Sequence, residues 1–158
     1  MTPDSAKAAK GGPDHDPPDI TVFRTGKPGL RKVLGDLEAD IMAAVWRRGA
    51  GARVTVRDVL ADLQGVRESA YTTVMTVMGV LVKKGLLVSE KVGLAHQYRA
   101  TCTEAEFTDA AVGQVVRELL SDFAGPALAH FSQAISPAGQ IGEDWLARIS
   151  KAREAEGD

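Results

Sequence analysis

Within one five-residue stretch the chain carries three β-branched hydroxyls, Thr72, Thr73 and Thr76, with the thioether of Met75 among them. Threonine is a poor helix former, yet this stretch lies inside a helical pattern, so something other than propensity favours it there. Small hydroxyls and methyls near the start of a helix fit the major groove of DNA, where threonine meets a base edge or a thymine methyl. The plainer alternative is an ordinary amphipathic helix rich in threonine. Around it stand Arg31, Lys32, Lys83, Lys84 and Lys91, side chains of the kind that meets phosphates and fixes register without reading sequence. Tyr71, at the start of the same helix, joins them as a candidate backbone contact.

Other chemistry lacks its constellation. His15, His96 and His130 are scattered, with no paired-His or Cys/His spacing for a metal. Cys102 is the single cysteine, which excludes an internal disulfide framework and suits a small buried apolar residue better than a redox switch. Ser69 has no base arranged around it, and no glycine-rich loop cradles a phosphate. The expectation is a non-enzyme with no cofactor and no metal.

The elements that must hold the threonines follow from periodicity. Leu37, Ile41 and Val45, with Met42 and Trp46, form a 3.6-residue stripe and predict a first helix ending near Arg47–Gly51. Arg53-Val54 reads as a short extended piece. Thr55 caps a second helix with Asp58 as its capping-box partner; Val56, Val59, Leu60 and Leu63 form the buried side, and Gly65 stops it. A third helix runs from about Ser69–Ala70 to Lys84 and closes on Gly85. At about 100° per residue, Val74, Val77, Met78 and Leu81 share one side of it, and Thr72, Thr76, Gly79 and Lys83 the other. Leu86–Lys91 and His96–Ala100 then form a hairpin around Gly93. Helix, short strand, helix, helix, hairpin is the plan of a winged helix-turn-helix, in which the third helix reads DNA.

Charge is divided along the chain. The 158 residues carry a formal net charge of −2. Residues 30–101 hold eleven basic and seven acidic side chains, whereas residues 102–158 hold four basic and ten acidic. A basic middle beside an acidic end suits contact with a polyanion through one part only. Residues 1–29 are balanced in charge, hold five of the seven prolines, and read as a disordered arm. No apolar run approaches the roughly 18 residues of a membrane span and the start lacks a signal-peptide pattern; the expectation is a soluble cytoplasmic protein.

The last part is helical. Thr103 and Glu106 form a capping box. Phe107, Ala111, Val115, Leu119 and Phe123 make one stripe, and Val112, Val116 and Leu120 an adjoining one, an apolar arc wider than one neighbour requires. Gly125-Pro126 predicts a break, then a short helix marked by Leu128, Phe131 and Ile135, a second break at Ser136-Pro137, and a third helix marked by Ile141, Trp145, Ile149 and Ala152. An arc of this width predicts pairing with a second copy, with Phe107, Ala111, Val115, Leu119, Phe123, Leu128 and Phe131 at the interface. The fold class is therefore mainly α with a small β-hairpin wing: an arm over 1–29, a winged helix-turn-helix over 30–101 and a helical dimerisation domain over 102–158.

Several stretches resemble the penicillinase-repressor family of transcription factors. They are Leu34-Gly35-Asp36-Leu37-Glu38 with Val45-Trp46, then Thr55-Val56-Arg57-Asp58-Val59, then Ala70-Tyr71-Thr72-Thr73-Val74-Met75-Thr76-Val77-Met78 on to Leu81, and Lys83-Lys84-Gly85-Leu86. The wing strand and the start of the long helix follow in the family's order, so the likeness covers about residues 34–135. It implies a homodimeric repressor on dyad-symmetric operator DNA, often with TACA/TGTA-like half-sites, its base-reading face on Thr72, Thr73, Met75 and Thr76. Val80 stands where many relatives carry a basic residue, which removes a contact expected there. The resemblance further implies relief by a regulatory protease cutting before a Phe; the aligned pair is His130-Phe131, where many relatives have Asn first, and Phe131 equally suits a dimer core. The C-terminal cysteine cluster of copper-responsive relatives is absent. The competing function class is a winged helix used as a protein-interaction module without sequence-specific DNA binding.

Overall fold

A computed structural model describes residues 20–136, with Ala147, Arg148 and Lys151 beyond them. The chain divides into two compact units, residues 1–111 and 112–158.

Among the described residues the first unit is built on three α-helices and a hairpin, preceded by a short 3-10 turn at Gly29–Lys32. Helix α1 (Asp36–Arg47) buries Ala39, Ile41, Met42, Ala44 and Val45. Helix α2 (Val56–Leu63) buries Val56, Val59 and Leu63. It starts on the expected capping box: the Asp58 amide donates to Thr55 Oγ1 at 3.2 Å, and the Thr55 amide donates back to Asp58 Oδ2 at 2.8 Å. Helix α3 (Tyr71–Lys83) buries Val74, Met78 and Leu81, three residues at i, i+4, i+7 that aim one stripe at the core. Its end is a Schellman motif: Leu86 N–H reaches Leu81 C=O at 3.0 Å and Gly85 N–H reaches Val82 C=O at 3.1 Å, with Gly85 at φ +79°.

The wing follows at once. Strands β1 (Leu87–Val92) and β2 (Ala95–Ala100) pair antiparallel from Leu87↔Ala100 to Val92↔Ala95. Gly93, at the first position of the two-residue loop, takes φ +64°, the conformation a II′ hairpin turn requires there. Val54 forms the expected extended piece, exchanging two 2.8 Å backbone hydrogen bonds with Tyr98. The base of the wing is thereby stitched to the α1–α2 link.

Helix α4 (Glu104–Ile135) begins on the Thr103/Glu106 capping box. Its first two turns belong to the first unit, because Phe107 and Ala111 are buried in that unit's core. The Trp46 ring lies 5.7 Å from that of Phe107, and Trp46 Nε1–H donates to the Cys102 carbonyl at 2.9 Å. The first unit thus ends at Ala111, ten residues beyond the division at 101 that the sequence pattern suggests.

One expectation is sharpened and another corrected. The break expected at Gly125-Pro126 is present but falls three residues earlier: two helical stretches meet at a kink at Phe123 (φ −133°, ψ 40°), within the span of α4. A proline lacks the N–H for the carbonyl four residues back and its ring crowds that carbonyl, so distortion falls on the turn before it. Residues 20–29 are not a loose arm: Ile20 packs on the core, Arg24 N–H donates to Lys32 C=O, and Lys27 Nζ reaches Asp36 at 3.1 Å. The remainder of the arm and the third helix expected at 141–152 lie outside the described residues, save Ala147, Arg148 and Lys151, which are helical.

Candidate nucleic-acid interface

The amphipathy of α3 sorts its residues into two sets. Val74, Met78 and Leu81 are wholly buried, while Tyr71, Thr72, Thr73, Met75 and Thr76 are all exposed on the other side. All four residues expected to read bases, together with Tyr71, therefore stand on one solvent-facing surface of one helix. Three core anchors fix its rotation about its own axis. Thr76 Oγ1–H donates to the Thr72 carbonyl one turn back at 2.8 Å, so its proton is used within the helix and its methyl and oxygen lone pairs remain outward. Val80, a departure from the family pattern noted above, is exposed as well.

The basic residues separate into free and engaged. Lys83 at the end of α3 and Lys91 on β1 are exposed. Lys84 is tied to Glu38 at 2.7 Å, and the same carboxylate accepts the Gly35 amide at 3.0 Å, so Lys84 clamps the end of α3 to the start of α1. Arg31 pairs with both Asp36 and Asp40. Lys32 donates to the Thr25 carbonyl at 3.0 Å and lies over the Phe23 ring. Arg31 and Lys84, expected as phosphate contacts, therefore also serve the fold.

Sequence reasoning missed Arg67. It sits in the turn that leads into α3, and its Nε donates to Asp40 Oδ2 at 3.0 Å. Asp40 holds Arg31 as well, joining the segment before α1 to the α2–α3 turn. Lys27 extends the chain of charges, and its hydrogen bond to Asp36 holds that carboxyl below its usual range. A basic residue in the turn of a helix-turn-helix was the available signal; its acidic partner lies 27 residues away and follows no local pattern.

The described residues of α4 from Val112 onward behave differently. Val112, Leu119, Leu120, Phe123, Leu128, Phe131 and Ile135 are all exposed, and Val115 and Val116 are half-buried. Phe107 and Ala111, expected at the interface with a second copy, are instead consumed by the chain's own core. The apolar face open to a partner thus begins about one turn later than the pattern suggests. His130 and Phe131 are both exposed on α4.

Cys102 is half-buried, and burial pushes its thiol pKa up, away from the thiolate a redox switch needs. Among the described residues no group of three metal-ligating side chains occurs, and no helix is long and apolar enough to cross a membrane.

With this geometry in view, comparison with known proteins is decisive for the family. The model of the penicillinase repressor family matches residues 34–151. The chain belongs to that family. Penicillinase repressor relatives include the transcriptional regulator BlaI of Mycobacterium tuberculosis (strain CDC 1551 / Oshkosh), 45% identical over 65 residues, which are 41% of this chain and 46% of that protein. The BlaI of strain ATCC 25618 / H37Rv matches equally. An uncharacterised 16.5 kDa protein from Latilactobacillus sakei is 36% identical over 92 residues, 58% of this chain and 61% of that protein. The chain thus spans about half the length of the curated BlaI relatives it matches.

Proposed function

We propose that this member of the penicillinase repressor family is a transcriptional repressor that binds operator DNA as a homodimer, with α3 in the major groove and the β1–β2 wing beside it. The observation that carries this reading is the exposed surface of Thr72, Thr73, Met75 and Thr76 on a helix whose opposite side carries the wholly buried Val74, Met78 and Leu81. A helix locked by its core side and bare on its other side is suited to insertion into a groove. Family membership and the BlaI relatives, named as transcriptional regulators, support the same reading.

Dimerisation is supported by the apolar stretch from Val112 to Ile135. Leucine, valine and phenylalanine side chains this numerous do not stay in water without cost, and a second copy offers a matching surface. Two reading helices related by a twofold axis then require half-sites about one helical turn apart, hence a palindromic operator. Relief by a regulatory protease would act at His130-Phe131, and the helix there must unwind locally before its backbone can enter a protease cleft.

The deciding experiment is selection of duplexes from a randomised pool, followed by anisotropy titration of the best duplex over a range of salt. Lys83 and Lys91 of two protomers, with further basic residues, neutralise on the order of four to ten phosphates, so log affinity falls with log salt at about −0.9 per phosphate. A slope near zero, with no enriched sequence, would hand the chain to the class of protein-interaction modules.

A further inference from the structure

The outward side of α3 is unusual in what it lacks. From Ala70 to Val82 there is no Arg, Lys, Asn, Gln, Asp or Glu. The bidentate contacts that single out guanine or adenine in the major groove come from Arg, Lys, Asn and Gln, and none of these stands on the part of the helix that would enter the groove. The surface consists of threonine methyls and hydroxyls, the Tyr71 ring and the Met75 side chain, each at 44% exposure, and Val80 at 37%. Thr76 spends its hydroxyl proton on the Thr72 carbonyl, which withdraws one of the few donors from the face.

Gly79 adds a second, independent observation. It lies seven residues after Thr72 and three after Thr76, on the same outward stripe. Glycine inside a helix is destabilising relative to alanine, so a reason is expected. None exists among the described residues: its φ is not positive, and a Cβ built there would meet nothing within 4 Å. A surface that approaches the helix from outside does supply one, because only glycine leaves the backbone bare.

We infer that α3 recognises thymine by apolar contact with its C5-methyl group, through Thr72, Thr73, Met75 and Thr76, with Gly79 admitting the DNA close against the helix backbone. This rests on the DNA-binding reading above. It makes thymine methyls, rather than guanine or adenine hydrogen-bonding edges, the main direct signal at the positions α3 touches.

The test starts from the duplex selected out of the randomised pool. Each thymine is replaced in turn by deoxyuridine, which removes only the methyl. Affinity should fall about three- to fivefold for each thymine that α3 reads, the equivalent of one buried methyl, and stay unchanged elsewhere. On the protein side, Thr76→Val keeps the methyl and replaces only the hydroxyl, and should bind as the wild type does, whereas Thr76→Ala should bind more weakly. Gly79→Ala should raise Tm by roughly 2–6 °C while lowering affinity for the same duplex. Full affinity for every deoxyuridine duplex, with sequence preference intact, would overturn the methyl reading and leave DNA binding standing. Equal losses for Thr76→Val and Thr76→Ala would assign the contact to the hydroxyl. Unchanged affinity in Gly79→Ala would remove the close approach. A pool that yields no preferred sequence brings down the DNA-binding reading and this one together.

Discussion

Helix α3 and the part of α4 beyond Ala111 both show water a face of methyls and larger apolar groups, yet the two differ in what lies behind that face. In α3, Val74, Met78 and Leu81 are wholly buried, so the exposed side belongs to a helix already held in place. In α4 the buried residues are Phe107 and Ala111 alone, both before the unit boundary. Exposed residues on a supported helix are free to serve a ligand, whereas an exposed stripe without a supporting core requires another surface to sustain it. Substitutions should therefore separate binding from stability in α3 and combine assembly with stability in α4.

The largest effect is expected from Leu119→Asp, which puts a carboxylate into the proposed contact between copies. Sedimentation should show the wild type dimeric at micromolar concentration and the variant monomeric, with affinity for a palindromic duplex reduced by roughly 10²-fold or more as two-headed binding is lost. A monomeric wild type would erase the contrast between the two helices. Next in size, Met78→Ala should destabilise the first unit by about 2–5 kcal/mol through the lost methylenes and the cavity left behind, read by chemical denaturation. Its counterpart on the same helix, Thr76→Ala, should change stability by less than about 1 kcal/mol while weakening specific binding by roughly 1–3 kcal/mol. If the two variants lose stability equally, the division of α3 into a supporting and a reading side is wrong.

A smaller effect tests the wing. Lys91→Ala should weaken selected and random duplexes about equally and flatten the salt slope by roughly two units per dimer. An unchanged slope would place Lys91 away from phosphate.

The smallest tests the support of α2, the helix before the reader. Asp58 accepts hydrogen bonds from the Thr55 amide and hydroxyl, and these hold its carboxyl below the usual range. A carboxyl lowered in the folded state stabilises above its unfolded pKa, about 3.9, and that contribution disappears as pH falls through the lowered folded value. Thr55→Ala should cost about 1 kcal/mol near neutrality, and the deficit should shrink once the pH drops below the folded pKa of Asp58.

Much of the first unit could be read from local patterns because local patterns cause it. The capping boxes at Thr55/Asp58 and Thr103/Glu106 involve residues three apart, Gly85 ends α3 through bonds within one turn, and the three-residue core stripe of α3 is a matter of helical period. Periodicity says which side of a helix is apolar but not what covers it. For that reason Phe107 and Ala111 read as partner-facing although both are buried in the core of their own chain, Phe107 against Trp46. The site divides the same way: the exposed threonines follow from their angle relative to Val74 and Met78, whereas the pairing of Lys84 with Glu38, 46 residues away, and the shared hold of Asp40 on Arg31 and Arg67 arise only once the chain is folded. Pro126 was visible as a breaker, but its distortion lands three residues upstream, where the preceding turn yields.

The seating of Phe107 under Trp46 also defines what can be exchanged between proteins as a working part. A fragment cut at residue 101 would leave the space filled by Phe107 empty, and loss of a phenylalanine from a core costs about 3–5 kcal/mol, a large share of the 5–15 kcal/mol that holds a typical domain together. The transplantable head therefore runs through Ala111. Any natural or engineered fusion that gives this head a new tail should keep the first two turns of α4 and join after them.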